Sequence, residues 1–398
     1  MIHLPIIYCV SAIWKITVGS QYMIVEWLVL LFIIFTTSIL VKKSILMLGD
    51  DLMKKVFIAH EYGDESHFKA LYSQAENKGY KVSGQIILKN RSFLGKIYKA
   101  IVKNHSLIQA GNIIFERIRF SFIKNEILIV GIAPYNTEMN KYRKIFKRNR
   151  SFYFTSQTVW DGSDYISGTY ANKKEFEKIL TECFQGAFCV TEKSKNEVSK
   201  YVQNSTVVNH SIETKEYTKN TSCGRKINFL YIGQYVDRKN ISLILNWFKQ
   251  NSIDNITVTF IGKGPLEKLI NKQSLEDGRI FNRGFCDKNF LKENISNYDF
   301  LILPSDKEPF GIVLIEALAC GVPCIVSNAD GPSEIIKNGY NGFIFDLNNK
   351  EKNFADAMNL VLNLSIGERT RLKENAIQSS KQYDTGNIIN RWIDMLEN

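Results

Sequence analysis

Residues 301–346 read LILPSDKEPFGIVLIEALACGVPCIVSNADGPSEIIKNGYNGFIFD. An apolar run from Phe300 to Leu303 ends at Pro304, and a polar loop then carries Glu308-Pro309-Phe310-Gly311. An apolar helix begins near Ile312, and a second buried strand spans Cys324 to Ser327. Strand, loop, helix and strand in that order make the repeating unit of a parallel sheet covered by helices. A turn at Gly311 aims the unpaired N–H groups of the helix start outward, which makes an anion site. Glu316 sits one turn into the helix, eight positions after Glu308, where it can accept hydrogen bonds from vicinal hydroxyls, as acidic residues do for ribose in dinucleotide sites. A phosphate at the N–H groups with a ribose beside the glutamate describes a nucleoside diphosphate.

The same alternation extends outward on both sides. Asn228 to Ile232 reads as a strand, Asn240 to Gln250 as a helix and Ile256 to Ile261 as a strand, and another helix starts between Gly264 and Asn271. The stretch from Ser365 to Asn398 is mostly helical, with Trp392, Ile393 and Leu396 as apolar anchors. Upstream, NHSIETKEYTKNTSCGR (209–225) lacks an apolar period and reads as a linker. Before it, Lys55 to Ala59, Glu126 to Gly131, Ser151 to Thr155 and Ala187 to Thr191 are short strands, and Glu65 to Lys78 is a helix that stops near Gly79. The expected fold class is therefore α/β: two tandem Rossmann-like, doubly wound domains facing a cleft, with ligands at the carboxyl ends of the strands. The boundaries fall at 53–220 for the first domain, 221–375 for the second, and 376–398 for a C-terminal helix.

Composition narrows the class. With 398 residues, 45% hydrophobic and 23% charged, the chain has material for two cores and is neither disordered, collagen-like nor a disulfide-stapled miniprotein. The 51 Lys+Arg against 40 Asp+Glu give a net charge of +11, which suits phosphates or anionic headgroups. No zinc-finger spacing, heptad array or RNA-binding aromatic motif accompanies that charge, so nucleic acid is not an expected partner. The 7 cysteines are odd in number and form no CxxC, which reads as reduced thiols and no metal site.

Residues 1–52 carry an apolar run, MIVEWLVLLFIIFTTSILV (23–41), followed by Lys42-Lys43. It is long enough for one membrane helix, and its flanking lysines would leave all that follows in the cytosol. The other reading takes Met53-Lys-Lys-Val-Phe-Ile-Ala-His60 as a natural start, with 1–52 as an upstream extension of the frame. Under both the expected location is cytoplasmic, anchored or peripheral at the inner face of the plasma membrane. Lys141, Arg143, Lys144, Lys147, Arg148 and Arg150 crowd one segment with Tyr142 and Phe146 interleaved, which reads as an anionic-membrane contact or as a solvated helix face.

EPFGIVLIEALACGVP (308–323) is similar to the Glu-x7-Glu signature of retaining family 4 glycosyltransferases of the GT-B fold. FLYIGQYVDRKN (229–240), FIGKGPLEKL (260–269), RGFC (283–286) and NADGPSEIIKNGYNGFIFD (328–346) extend the resemblance over the second half of the chain. It implies that Glu308 contacts the donor sugar and that Glu316 binds the ribose. Lys239 matches the lysine of the family's GR-x4-K segment, which holds the diphosphate; after Gly233, Gln234 stands where that segment has arginine, and Arg238 is the substitute cation. Phe310, Gly311 and Ile312 belong to the donor loop, Gly284 and Phe285 border the base, and Gly262 and Gly264 form a second Gly-rich turn. On the acceptor side FTSQTVWDG (154–162) offers Ser156, Gln157, Trp160 and Asp161, with no histidine, and HEYGDESH (60–67) offers His60, Gly63 and His67.

No Asp-x-Asp occurs, so the expectation is that no metal and no cofactor is used beyond a nucleotide-diphosphate sugar as donor substrate. The resemblance implies a retaining, metal-independent hexosyltransferase acting on a glycan or lipid-linked acceptor in cell-surface polysaccharide biosynthesis. A GT-B sugar-nucleotide epimerase shares the architecture, and a nucleotide-binding pseudoenzyme subunit, with Gln234 as its mark, is a third reading. A dehydrogenase is disfavoured because HEYGDES has a single glycine where GxGxxG belongs.

Overall fold

The computed structural model describes residues 53–60, 68–88, 97–103, 107–134, 137–157 and 173–398. The apolar run 23–41 lies outside the described residues, as do Gly63, His67, Trp160 and Asp161. Among the described residues no helix is long and apolar enough to cross a membrane.

Two six-stranded sheets organise the chain. The first contains β1 (Lys54–His60), β2 (Tyr80–Ile87), β3 (Ile127–Gly131), β4 (Arg150–Thr155), β5 (Gly186–Cys189) and β6 (Ser205–Val207), in the order β2-β1-β3-β4-β5-β6. The second contains β7 (Ile227–Ile232), β8 (Ile256–Ile261), β9 (Ile280–Gly284), β10 (Phe300–Leu303), β11 (Cys324–Ser327) and β12 (Gly342–Phe345), in the order β12-β11-β10-β7-β8-β9. Every pairing is parallel. Central strands such as Val56–Ala59, Ile127–Gly131 and Phe300–Leu303 are buried throughout, because helices cover both faces and leave no solvent side for a polar alternation. In each sheet the order reverses beside the first strand, at β1/β3 and at β7/β10, which opens a crevice at the carboxyl ends there.

The two sheets are tied by the last helix, Thr385–Glu397, which leaves the second and packs on the first. Its Trp392 is fully buried, with ring centres 4.2 Å from Phe188 and 6.0 Å from both Phe154 and Phe68. Arg150 also donates to the Leu396 carbonyl at 2.6 Å. A second tie joins the start of helix Glu192–Val198 to helix Asp330–Ile335. The Glu334 carboxylate accepts from the backbone N–H of Glu192 at 2.8 Å and of Lys193 at 3.1 Å, and Lys193 pairs with Asp330.

Several sequence expectations need correction. The polar stretch 209–225 is not a loose linker: Ile212 bridges Asp384, whose carboxylate accepts from Thr214 N–H and hydroxyl. Its polarity serves hydrogen bonds to distant partners, which a periodicity reading cannot see. His60 is the last residue of β1 rather than a loop residue, and the described part of the helix after it is Lys69–Gln74, followed by a 3-10 turn Glu76–Lys78 closed by Gly79 at φ 76°. β5 stops at Cys189, two residues early, because Thr191 caps the next helix by accepting from Ser194 N–H. The closing helical stretch is two helices, Ile366–Ser380 and Thr385–Glu397, separated by a turn at Lys381–Tyr383. Strands β2, β6, β9 and β12 were not anticipated.

Candidate functional site

A cavity of about 400 Å³ opens at the β7/β10 crevice. It is lined by Ile232 and Leu303 at the strand ends, by Gly233, Gln234, Arg238 and Lys239 after β7, and by Glu308 to Val313 after β10. Ser156 and His210 close it from the first-sheet side. That size falls in the range of small-molecule sites.

Backbone hydrogen bonding explains why residues so far apart in sequence meet. Asn240 adopts a left-handed conformation (φ 50°), and its side-chain amide donates to the Pro304 carbonyl at 2.8 Å and to Asp306 at 2.6 Å. Asp306 N–H donates to the Arg238 carbonyl at 2.9 Å, and the Arg238 guanidinium donates to the Lys307 carbonyl at 3.2 Å. The two loops are thus sewn together, and Lys239 meets the Glu308 carboxylate in a direct ion pair. Both side chains are nearly enclosed, at 9% and 13% exposure. An enclosed pair of this kind is held in place by its surroundings, unlike a surface pair.

Gly311 starts the helix Ile312–Ala319 with φ 87° and ψ 69°, a conformation that glycine reaches without steric cost. No side chain caps this helix, so the N–H groups of its first turn face the cavity that Ile312 and Val313 line. Arg238, Lys239 and this helix start together give the cavity an electropositive wall, with Glu308 as its acid.

The remaining predicted positions separate. Gly262 presses on the β7 turn, where an added Cβ would stand 1.9 Å from the Gly233 carbonyl oxygen; Gly264 likewise sits against Tyr235. Both shape the cavity floor without lining it. Gly284 and the exposed Phe285 lie beyond it, with Lys263 4.9 Å over the Phe285 ring. Glu316 does not line the cavity. Its carboxylate accepts from the Tyr217 hydroxyl at 3.0 Å, and burial pushes its pKa up while that hydrogen bond pulls it down. Burial likewise raises the Tyr217 pKa.

Phe310 is buried, its ring edge-on to His210 at 5.0 Å and to Tyr383 at 6.0 Å. His60 is buried against Phe68 and Phe154, outside the cavity lining, and Gln157 is half-buried with its N–H on Thr155. His210 was missed: nothing in a polar stretch marks which residue will turn inward, and only its buried contact with Phe310 reveals it. The basic segment is partly spent inside the protein. Arg143 and Lys147 share Glu182, and Arg148 bonds the Ile123 and Ser121 carbonyls.

Residues 212–379 match the family described as Glycosyl transferases group 1. Over 225 residues the chain is 29% identical to an uncharacterized glycosyltransferase of Methanocaldococcus jannaschii, which covers 55% of this chain and 59% of that protein. Over 109 residues it is 36% identical to the N,N'-diacetylbacillosaminyl-diphospho-undecaprenol alpha-1,3-N-acetylgalactosaminyltransferase of Campylobacter jejuni, covering 27% of this chain and 28% of that one. The chain thus spans less than two thirds of the length of these curated relatives. Among solved structures, HepE of Anabaena in complex with UDP aligns with a TM-score of 0.64 at 14% identity, over 87% of this chain and 100% of that one. At that identity the likeness is one of fold: two parallel sheets in the GT-B arrangement.

Proposed function

We propose that this chain is a retaining glycosyltransferase that moves a sugar from a nucleotide-diphosphate donor to a glycan or lipid-linked acceptor. The observation that carries the reading is the electropositive wall of Lys239, Arg238 and the uncapped start of helix Ile312–Ala319, facing a cavity whose acid is Glu308. Leaving-group departure breaks the bond between the anomeric carbon and the phosphate oxygen, and negative charge grows on the diphosphate. Fixed cations and N–H groups already aimed at that position stabilise it without reorganisation. Opposite charges about 4 Å apart interact at roughly 4 kcal/mol at an effective dielectric of 20, so two cations and a helix start are comparable with a divalent ion. We therefore assign a metal-independent mechanism.

Glu308 orients the sugar ring once the diphosphate has drawn Lys239 away. Glu316 and Tyr217 support the ribose side, and Ser156 and His210 stand on the acceptor side. The UDP held by HepE and the lipid diphosphate named for the Campylobacter relative support a uridine nucleotide and a lipid-linked acceptor as the first substrates to test. Calorimetric titration of UDP, GDP and ADP in EDTA is the experiment. Micromolar binding of one nucleotide is the expected result, and binding that needs Mg²⁺, or none at all, would refute the proposal.

A further inference from the structure

The helix Leu107–Phe122 is apolar on two sides. Phe120 faces the first sheet and stacks on Phe57 with ring centres 5.6 Å apart, and Ile123 just beyond the helix is buried as well. Ile114, Ile118 and Phe122 recur at intervals of four and so form a stripe on the far side from Phe120. Along that stripe exposure rises outward: Ile114 is half-buried, Ile118 is 41% exposed and Phe122 is 78% exposed. The segment Lys99–Lys103 that precedes this helix adds Tyr98 at its edge, 60% exposed, and Ile101, 40% exposed. Four large exposed apolar side chains on two successive elements go beyond scattered surface hydrophobes.

The surroundings of the stripe are cationic. Lys99, next to Tyr98 on the preceding segment, and Lys124, just beyond the helix, are both exposed. Arg148 bonds the carbonyls of Ser121 and Ile123, on either side of Phe122, which places the basic segment 141–150 beside the stripe's most exposed ring. Lys144 of that segment is also exposed. Arg119 engages both Glu116 and Glu126, which leaves one net negative charge there against the three exposed lysines. An apolar stripe flanked by lysines and arginines is the pattern of a helix lying in a membrane interface.

We propose that the outward face of helix Leu107–Phe122, together with Tyr98 and Ile101, docks on an anionic lipid surface. The apolar side chains enter the headgroup boundary, and Lys99, Lys124 and Lys144 meet lipid phosphates. This inference does not rest on glycosyl transfer.

The test is amide hydrogen exchange of the full chain, read by mass spectrometry on peptides within residues 107–124. Vesicles of phosphatidylcholine alone are compared with vesicles containing phosphatidylglycerol. Expected is at least tenfold slower exchange in this helix on anionic vesicles, no change on neutral ones, and loss of the protection in the Ile118→Ser, Phe122→Ser double variant. Glu182→Gln, which releases Arg143 and Lys147 from their shared carboxylate, is expected to lower the lipid concentration needed for protection severalfold. The readout is local, so attachment through another part of the chain does not imitate it. Unchanged exchange in residues 107–124 overturns the proposal. So does equal protection on neutral vesicles. Protection that instead grows with protein concentration in the absence of lipid also overturns it, in favour of a second copy.

Discussion

Substitutions at the two partners of the enclosed ion pair are expected to move nucleotide affinity in opposite directions. In the free protein Lys239 is paired with Glu308, and an incoming diphosphate must take over that ammonium. Lys239→Met removes a cation about 4 Å from the phosphates, worth roughly 4 kcal/mol at an effective dielectric of 20. Part of this is already spent on Glu308, so the expected net loss is about 2–3 kcal/mol, or ~30- to 150-fold in Kd. Glu308→Gln removes a carboxylate that opposes the ligand. At about 6 Å the same arithmetic gives ~3 kcal/mol before screening, and about 1 kcal/mol is a reasonable remainder, so UDP alone should bind ~5-fold more tightly. Transfer should nevertheless collapse in the Gln variant, since the group that orients the sugar is gone. Each single variant leaves a nearly buried charge unpaired and should lose on the order of 3 kcal/mol of stability, whereas the double variant should recover part of it. Isothermal titration with nucleotide, progress curves with nucleotide-sugar and urea denaturation supply the three readouts. Weaker nucleotide binding in both single variants would refute the reasoning, because the carboxylate would then be a ligand of the nucleotide and not its competitor.

Three further outcomes follow from features outside that pair. Burial raises the Glu316 pKa, so its ionised form costs stability. The penalty is absent below the unfolded pKa of about 4.3 and builds as pH rises toward the folded value, so Glu316→Gln should match the wild type in denaturation at pH 4 and exceed it at pH 7. Glu334→Ala deletes the carboxylate that receives two backbone N–H groups from the other lobe, and small-angle scattering should show a larger radius of gyration with little change in melting. Trp392→Ala should cost about 3–5 kcal/mol in urea denaturation, as expected for emptying a large aromatic site among Phe68, Phe154 and Phe188.

What the sequence disclosed was whatever local pattern determines. Phe300–Leu303 is wholly apolar, Ile256–Ile261 mixes apolar residues with two β-branched threonines, and Cys324–Ser327 is apolar up to its final serine; their bounds were legible to the residue because parallel strands buried on both faces favour such residues. β9 reads IFNRG and is mostly unburied, and β12 is four residues beginning with glycine, so neither offers a periodic signal. Within the site, Glu308, Gly311 and Lys239 could be singled out because they sit in motifs tied to strand ends. The partner of Glu316 could not: Tyr217 lies in a stretch with no period, and its hydroxyl meets a carboxylate 99 positions further along the chain. His210 escaped for the same reason, and the exposed stripe of helix Leu107–Phe122 was hidden because apolar residues on a helix read as core.

The closing helix carries a consequence for biosynthesis. Phe68, Phe154 and Phe188 are threaded out of the ribosome long before Trp392, and the intervening nascent polypeptide includes the entire second lobe. The amino-terminal half therefore waits, with an unfilled aromatic slot, until the second lobe has been synthesised. A stalled chain lacking this thirteen-residue helix would expose that slot, making it a natural mark for chaperones and proteases.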